Sequence, residues 1–113
     1  MESVLVYITT PDVEQARRIG RYLVEKRLAA CVNILPDMES LYWWDGSVQN
    51  DREAVLLAKT SAAVLDELKA AVVELHPYEV PCIVVIDMVA GHEPFLRWIN
   101  AQVTTAGRGT ENC

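Results

Sequence analysis

Residues 31–60 decide the fold, and they read CVNILPDMESLYWWDGSVQNDREAVLLAKT. Asp45-Gly46 lies between two runs that are rich in β-forming residues. A tight hairpin turn of the primed type needs positive φ at its centre, and Asp-Gly provides it. The stretch therefore predicts a β-hairpin. Tyr42 and Trp44 are two residues apart, so a regular strand places both side chains on one face.

The arms of this hairpin are unusually long. The first arm, residues 31–44, has fourteen residues and would reach about 45 Å when extended at ~3.3 Å per residue. An ordinary strand has about 5–6 residues, and a domain of this size has a radius of gyration of about 13–14 Å. The hairpin therefore either folds back at Pro36 or projects beyond its own core. A projecting hairpin has open edges and an exposed apolar face, which an identical neighbour would cover most simply.

Length, charge and cysteine content limit the function classes. The 113 residues suffice for one domain with one core, and a net charge of -6 argues against a nucleic-acid surface, which needs clustered Lys and Arg. The three cysteines lack CxxC spacing and favour free thiols in a reducing compartment. The first residues, Met1-Glu2-Ser3, lack a basic n-region, so we expect no signal peptide, and no apolar run reaches the ~20 residues of a membrane span. We therefore expect a cytoplasmic protein without membrane or nucleic-acid partners.

Strand-like and helix-like segments alternate on both sides of the hairpin. In order, they are a strand over 4–8, a helix from 10 to 27, the hairpin over 31–60, a helix ending at 76, a strand over 80–86 and a short helix over 91–103. This order predicts an α+β fold of the ferredoxin-like βαββαβ type, with a long hairpin and an added C-terminal helix. We expect one domain over residues 1–103 and a disordered polar tail over residues 104–113.

Capping residues and prolines predict where these segments begin and end. Thr10 would cap the first helix, with Pro11 at its first helical position. Thr60-Ser61 would cap the second helix, which Pro77 ends at residue 76. Pro36 has no N–H, so it predicts an edge position or a bulge in the first arm of the hairpin.

Side chains that can bind a metal cluster in the sequence only at residues 76–82, which read HPYEVPC. The imidazole of His76, the carboxylate of Glu79 and the thiolate of Cys82 could together hold copper or zinc. The structural alternative is favoured by the small number of ligands in this stretch: His76 caps the helix that it ends, and Cys82 is a small buried residue at the start of a strand.

Two further sets of residues are candidates for binding. Tyr42 and Trp44 would either line a pocket or pack in a subunit interface, and their place on a long hairpin favours the interface. Lys59 lies beside a helix N-terminus and could hold a small anion with Tyr78 and backbone amides, or it could simply be solvated. Sequence motifs of the common enzyme classes (GxSxG, P-loop, GxGxxG, HExxH) are missing, which predicts a protein without catalytic activity.

Several blocks of the chain resemble the CutA divalent-cation tolerance family. They cover about residues 3–103, and the most specific are EKRLAAC at residues 25–31 and HPYE at residues 76–79. The resemblance implies a cytoplasmic homotrimer with a ferredoxin-like fold, similar to PII-type signalling proteins and linked to tolerance of copper and other divalent ions. It also implies that long hairpins pair across subunits and bury Tyr42 and Trp44.

The resemblance also implies a place for copper. Copper sites of the family use a cysteine of the first strand and histidines at the end of the second helix. Here the corresponding positions carry Ile8 and Leu75, and only His76 matches. The leading hypothesis is thus a non-enzymatic homotrimer that binds Cu(II) or another divalent cation through His76, Glu79 and Cys82, without an organic cofactor. The alternative is a PII-like signalling or scaffold trimer that binds a small anion in clefts between subunits, through Lys59 and Tyr78.

Overall fold

The computed structural model describes residues 2–103, and the predicted tail lies outside that range. Its elements are β1 (Ser3–Thr10), α1 (Val13–Glu25), β2 (Cys31–Trp44), β3 (Ser47–Ser61), a 3-10 turn (Ala62–Val64), α2 (Leu65–Leu75), β4 (Ile83–Asp87) and α3 (Glu93–Gln102). The four strands form one antiparallel sheet in the order β2-β3-β1-β4. This arrangement confirms the ferredoxin-like α+β fold.

The core lies between one face of the sheet, here called the helical face, and the helices α1 and α2. Even-numbered side chains of β1 point into it because alternate residues of a strand share a face. Val6, Ile8 and Leu56 are fully buried there, together with side chains of both helices. Gly20 brings α1 close to the sheet, because a Cβ at that position would lie 3.0 Å from Cγ2 of Val32.

The hairpin projects beyond the sheet and does not fold back at Pro36, which were the two arrangements that its length predicted. β1 pairs with β3 only from Ala54 to Ser61, whereas residues 47–53 pair only with β2 among the described strands. The longest dimension of the molecule is accordingly 49 Å, and its radius of gyration is 14.9 Å. We call residues 38–53 the outer hairpin. The turn has φ of 53° at Asp45 and 78° at Gly46, as the Asp-Gly signal predicts.

A β-bulge separates the outer hairpin from the rest of β2. Leu35 pairs with Val55 and Met38 with Glu53, so that two residues of β2 lie opposite one residue of β3. The bulge confirms the prediction for Pro36, and Asp37 accommodates it with φ of 59°. Because the extra residue shifts the alternation by one, Met38 and the even-numbered residues after it share a face with Glu53. That face is opposite the helical face, and we call it the second face.

The predicted start of the first helix is wrong by two residues. Asp12, not Thr10, is the N-cap, and its Oδ1 accepts a hydrogen bond of 2.8 Å from the N–H of Gln15. The hydroxyl of Thr10 instead donates to the carbonyl of Asp12 at 2.8 Å. A carboxylate acceptor near a helix N-terminus is favoured over a neutral hydroxyl, and the register of β1 keeps Thr10 in the sheet.

The predicted starts of α2 and β4 also differ from those in the structure. Ser61 caps a 3-10 turn by accepting from the N–H of Ala63 at 3.1 Å, and α2 begins only at Leu65. Thr60 caps nothing, because its hydroxyl donates to the carbonyl of Leu28 at 2.7 Å. β4 begins at Ile83 rather than at residue 80, since a proline at position 81 has no N–H for the ladder.

Candidate functional site

A cavity of about 710 Å³ lies on the second face, where the outer hairpin leaves the sheet. β1 contributes part of its wall, the outer hairpin a second part, and the loop between α2 and β4 a third. The lining residues are Tyr7, Thr9, Met38, Glu39, Ser40, Leu41, Tyr42, Trp44, Glu53, Tyr78, Glu79, Val80 and Cys82. The lining is rich in aromatic rings and carboxylates, and no Lys or Arg of residues 2–103 is part of it.

Tyr78 and Glu53 form the polar centre of this cavity. The phenol of Tyr78 donates a hydrogen bond of 2.7 Å to Oε2 of Glu53, and the Glu53 side chain is only 9% exposed. Burial, and then this hydrogen bond, raises the pKa of Tyr78 well above its ordinary value. The phenol therefore stays protonated and remains a donor to the carboxylate.

A second phenol–carboxylate pair lies farther out on the same face. Tyr42 donates a hydrogen bond to Oδ2 of Asp51, and that bond is the main cause of the raised pKa of Tyr42. Tyr7 lies on the inner wall, with its hydroxyl 3.5 Å from the sulfur of Met38. The bulge at residues 36–37 is what brings Met38 and Tyr42 to this face.

His76 ends α2, as the sequence predicts, and its ring is 7% exposed. Its Nε2 lies 2.7 Å from the carbonyl oxygen of Thr9, and its Nδ1 accepts from the N–H of Tyr78 at 3.1 Å. A carbonyl only accepts, so Nε2 is the donor in the first bond, whereas Nδ1 is the acceptor in the second. Both nitrogens are thus occupied by hydrogen bonds that fix the loop to β1, and His76 would coordinate a metal only by giving one of them up.

The other two predicted metal ligands do come together. Glu79 and Cys82 both line the cavity, as do Glu39, Glu53 and the thioether of Met38. His76 is absent from this lining. Within residues 2–103, no three side chains of His, Cys, Asp or Glu lie close enough to one another to hold a metal ion. A mononuclear site usually needs three or four ligands, so one chain supplies donors without a complete coordination sphere.

Lys59 and Tyr78 do not share a cleft within one chain. Lys59 lies six residues from Glu53 along β3, about 20 Å at ~3.3 Å per residue, whereas Tyr78 contacts Glu53 directly. The ammonium group of Lys59 donates a hydrogen bond of 2.6 Å to Oδ1 of Asn33 and lies 5.9 Å from the ring centre of Phe95 in α3. The two residues predicted to hold an anion are therefore at opposite ends of the second face.

The outer hairpin carries apolar side chains on both of its faces. Tyr42 and Trp44 lie on the second face and are 40% and 47% exposed. On the reverse side Leu41 and Trp43 are 67% and 73% exposed, and Val48 is exposed as well. Such a concentration of exposed apolar groups is unusual for a monomer.

Sequence reasoning missed Glu53, Tyr7 and Met38 as cavity residues. Met38 and Glu53 pair directly across β2 and β3, but nothing in the local pattern separates them from solvated residues of a long strand. Pro36 was the only signal, since it marks the bulge that brings Met38 to the second face.

Comparison with known proteins agrees with this fold. Residues 4–102 match the family described as CutA1 divalent ion tolerance protein. The chain belongs to this family. The resemblance drawn from the sequence blocks is therefore confirmed over nearly all of the described residues. The CutA1 family is named for divalent ion tolerance and not for a catalytic activity.

Relatives in the CutA1 family come from all three domains of life. The Divalent-cation tolerance protein CutA of Thermus thermophilus is 48% identical over 99 residues, which cover 88% of this chain and 95% of the relative. Protein CutA 1, chloroplastic, of Oryza sativa is 40% identical over 97 residues, which cover 86% of this chain. The match spans only about half of the rice protein, 55% of its length.

Solved structures of CutA1 proteins superpose closely on this chain. The crystal structure of CutA1 from Oryza sativa has a TM-score of 0.89 at 38% identity and covers 92% of this chain and 95% of the other. The Archaeoglobus fulgidus protein, described as a periplasmic divalent cation tolerance protein, has a TM-score of 0.87 at 39% identity and covers 90% and 99%. Among residues 2–103, none of the helices has the length and apolar character needed to cross a membrane.

Proposed function

We propose that this CutA1 protein is a non-enzymatic homotrimer that binds divalent cations, copper foremost, and thereby supports tolerance of them. The observation that carries the proposal is the lining of the cavity. Three carboxylates, the Cys82 thiol and the Met38 thioether line it, and within the described part of the chain no Lys or Arg does. Sulfur ligands favour copper over hard cations such as magnesium, and the absence of basic groups disfavours an anion.

The outer hairpin supports self-association. Its two strands pair only with each other there, and β2 has no partner on its outer edge among the described strands. Exposed apolar groups on both faces need cover, and an open edge offers unpaired N–H and C=O groups to another chain. Three copies related by a rotation axis would satisfy every hairpin in the same way.

The trimer would also complete the metal site, for which one chain supplies too few ligands. Glu79 and Cys82 are too few to form a coordination sphere in one chain. If the hairpin of a neighbouring copy closes the cavity, donors from that copy complete the set. His76 joins it only if a hydrogen bond to Thr9 or Tyr78 breaks, so we propose Glu79 and Cys82 as the principal ligands and His76 as an optional one.

Copper titration tests the metal part of this proposal. Cu(II) is titrated by calorimetry into the wild type, Cys82→Ser, Glu79→Gln and His76→Ala. Cys31→Ser serves as the matched thiol control, because Cys31 lies outside the cavity. We expect Cys82→Ser to weaken binding at least tenfold and Cys31→Ser to leave it unchanged. Equal loss in both cysteine variants would contradict a site in the cavity, and unchanged affinity in His76→Ala would leave that residue a structural role alone.

Light scattering tests the oligomer. The wild type should have three times the chain mass of 12.6 kDa, and Trp43→Lys should lower it toward the monomer because a charge enters an apolar contact. Val89→Lys is the control, since Val89 is an exposed apolar residue outside the hairpin. A wild type that stays monomeric at micromolar concentration would refute the trimer.

The proposed compartment is the cytoplasm. Cys31 and Cys82 are free thiols, which persist in a reducing compartment. Fractionation of cells that express the untagged protein, with thiol labelling before and after reduction, tests it. Recovery in the periplasmic fraction would overturn the assignment.

A further inference from the structure

The outer hairpin leaves the sheet at a joint that Glu53 and Met38 form. Ala54 is the last residue of β3 that pairs with β1, so Glu53 is the first residue beyond that pairing. Met38 pairs with Glu53 directly after the bulge of β2. A bulge bends its strand and increases the local twist, and a two-stranded ribbon by itself is only marginally stable. Strand pairing alone therefore does not fix the angle at which the outer hairpin leaves the sheet.

Two phenols outside the hairpin hold its two arms at this joint, one phenol for each arm. On the β3 arm, Tyr78 donates a hydrogen bond of 2.7 Å to Oε2 of Glu53. On the β2 arm, the hydroxyl of Tyr7 in β1 donates to the sulfur of Met38 at 3.5 Å. Both contacts join residues of one chain, so neither depends on how a neighbouring copy covers the rest of the hairpin.

The loop that carries Tyr78 is itself fixed to the sheet. Nε2 of His76 donates to the carbonyl of Thr9 in β1 at 2.7 Å, and Nδ1 of His76 accepts from the N–H of Tyr78 at 3.1 Å. Three hydrogen bonds thus connect Thr9 to Glu53 through this loop. Glu53 is only 9% exposed, so breaking the last of these bonds would remove a donor from a buried carboxylate, which is costly. The joint is therefore held from β1 on the second face.

We infer that Tyr7 and Tyr78 are positioning residues that hold the outer hairpin at one angle to the sheet and thereby prepare it for contact with neighbouring copies. A hairpin that is already held at one angle loses less conformational freedom on association than a hairpin that samples several angles. The effect on association rests on the proposed trimer. The effect on the angle concerns a single chain and can be measured without any assembly.

Single-molecule energy transfer tests the angle in the dissociated chain. Donor and acceptor dyes are attached at Ser47→Cys, beside the hairpin turn, and at Ala70→Cys, on the exposed surface of α2. The native cysteines are replaced by serine in every variant, and the labelled chain is kept at picomolar concentration. We expect one narrow transfer peak without further substitutions. The double variant Tyr7→Phe/Tyr78→Phe should broaden or shift that peak, because both hydroxyl contacts at the joint are lost.

Tyr42→Phe is the matched control for the angle, because the phenol of Tyr42 also donates to a carboxylate but joins the two arms of the hairpin to each other. We expect it to leave the transfer peak unchanged. Light scattering over a dilution series of the unlabelled protein then measures association. The double variant should raise the concentration of half-assembly about tenfold through the lost preorganisation. Tyr22→Phe, on the surface of α1, should leave that concentration unchanged.

The possible results separate this inference from the proposed trimer. An unchanged transfer peak in the double variant, or equal broadening by Tyr42→Phe, would overturn the positioning role. A broadened peak with unchanged assembly would overturn the link to association. A wild type that stays monomeric would refute the trimer, while the transfer peaks would still decide whether the phenols hold the hairpin. If the double variant does not fold, Met38→Leu removes the contact of the β2 arm alone, and we expect it to broaden the peak less.

Discussion

The inner half of the sheet and the outer hairpin are built from the same two strands but differ in what surrounds them. In the inner half, β3 has β1 and β2 on either side, and Ile8 and Leu56 are fully buried beneath α1 and α2. In the outer hairpin, β2 and β3 have only each other, and Leu41 and Trp43 are mostly exposed. β2 and β3 pair with each other in both regions, on either side of the bulge, so the difference shows that pairing alone does not create a core.

The largest expected effect comes from truncating a buried leucine of the inner half, which we compare with the same change at an exposed leucine of the outer hairpin. Leu56→Ala should lower the free energy of unfolding by about 3 kcal/mol, because it leaves a cavity in the core. Leu41→Ala, the same change in the outer hairpin, should lower it by less than about 0.5 kcal/mol at low protein concentration, because Leu41 is exposed. Urea unfolding at one fixed concentration measures both.

Measuring the stability of both leucine variants at several protein concentrations also tests whether the outer hairpin lies in a subunit contact. A cost of Leu41→Ala that grows with protein concentration would place the outer hairpin in a subunit contact. Equal costs for the two leucines in the dissociated chain would break the distinction between the regions.

A smaller effect is expected at the boundary between the two regions. Tyr78→Phe should lower the free energy of unfolding at pH 7 by about 1.5 kcal/mol, because the buried carboxylate of Glu53 loses its donor. Tyr22→Phe, on the surface of α1, should cost almost nothing.

The pH dependence of the wild type follows from the raised pKa of Tyr78. A phenol whose pKa is higher in the folded state stabilises the fold fully below its ordinary value of 10.0, and this stabilisation is lost as the pH rises above it. We therefore expect stability to fall above pH 10 and to fall less in Tyr78→Phe. Parallel pH profiles for the two proteins in metal-free buffer would contradict the assignment.

The smallest effect lies away from both regions, at the start of α1. Asp12→Ala should lower the free energy of unfolding by about 1 kcal/mol, because the N–H of Gln15 loses its acceptor. Asp12→Asn keeps an oxygen in place and should cost less than about 0.5 kcal/mol. If both variants cost the same, the charge of Asp12 would matter rather than its hydrogen bond.

Local patterns predicted the fold but not the site. The Asp-Gly turn, the proline at residue 36 and the end of α2 at His76 follow from rules that concern neighbouring residues, and the structure has them. The start of α1 was misplaced because Thr10 and Asp12 both suit a cap, and only the register of β1 decides which one remains in the sheet. Met38 and Glu53 reach one cavity only because a bulge shifts the alternation of a long strand.

The predicted binding residues also divide into those that local sequence places together and those whose positions depend on distant contacts. Glu79 and Cys82 meet at the cavity because they lie on one short loop. Lys59 and Tyr78 lie apart within one chain, because the inner half of β3 separates them, and a cleft that they share between subunits stays a prediction. His76 was placed correctly as a helix end, yet the hydrogen bond of its Nε2 depends on Thr9 of β1, which is 67 residues away in the chain.

The sequence by itself determined the order of elements, the hairpin and the membership of a family, because these depend on spacing and turn chemistry within short segments. Tertiary structure alone decided that the hairpin projects, that the second face gathers four aromatic rings, and that Glu53 is buried without a basic partner among residues 2–103. Each of these depends on which distant strands pair and in what register, and a single inserted residue at a bulge changes which side chains meet.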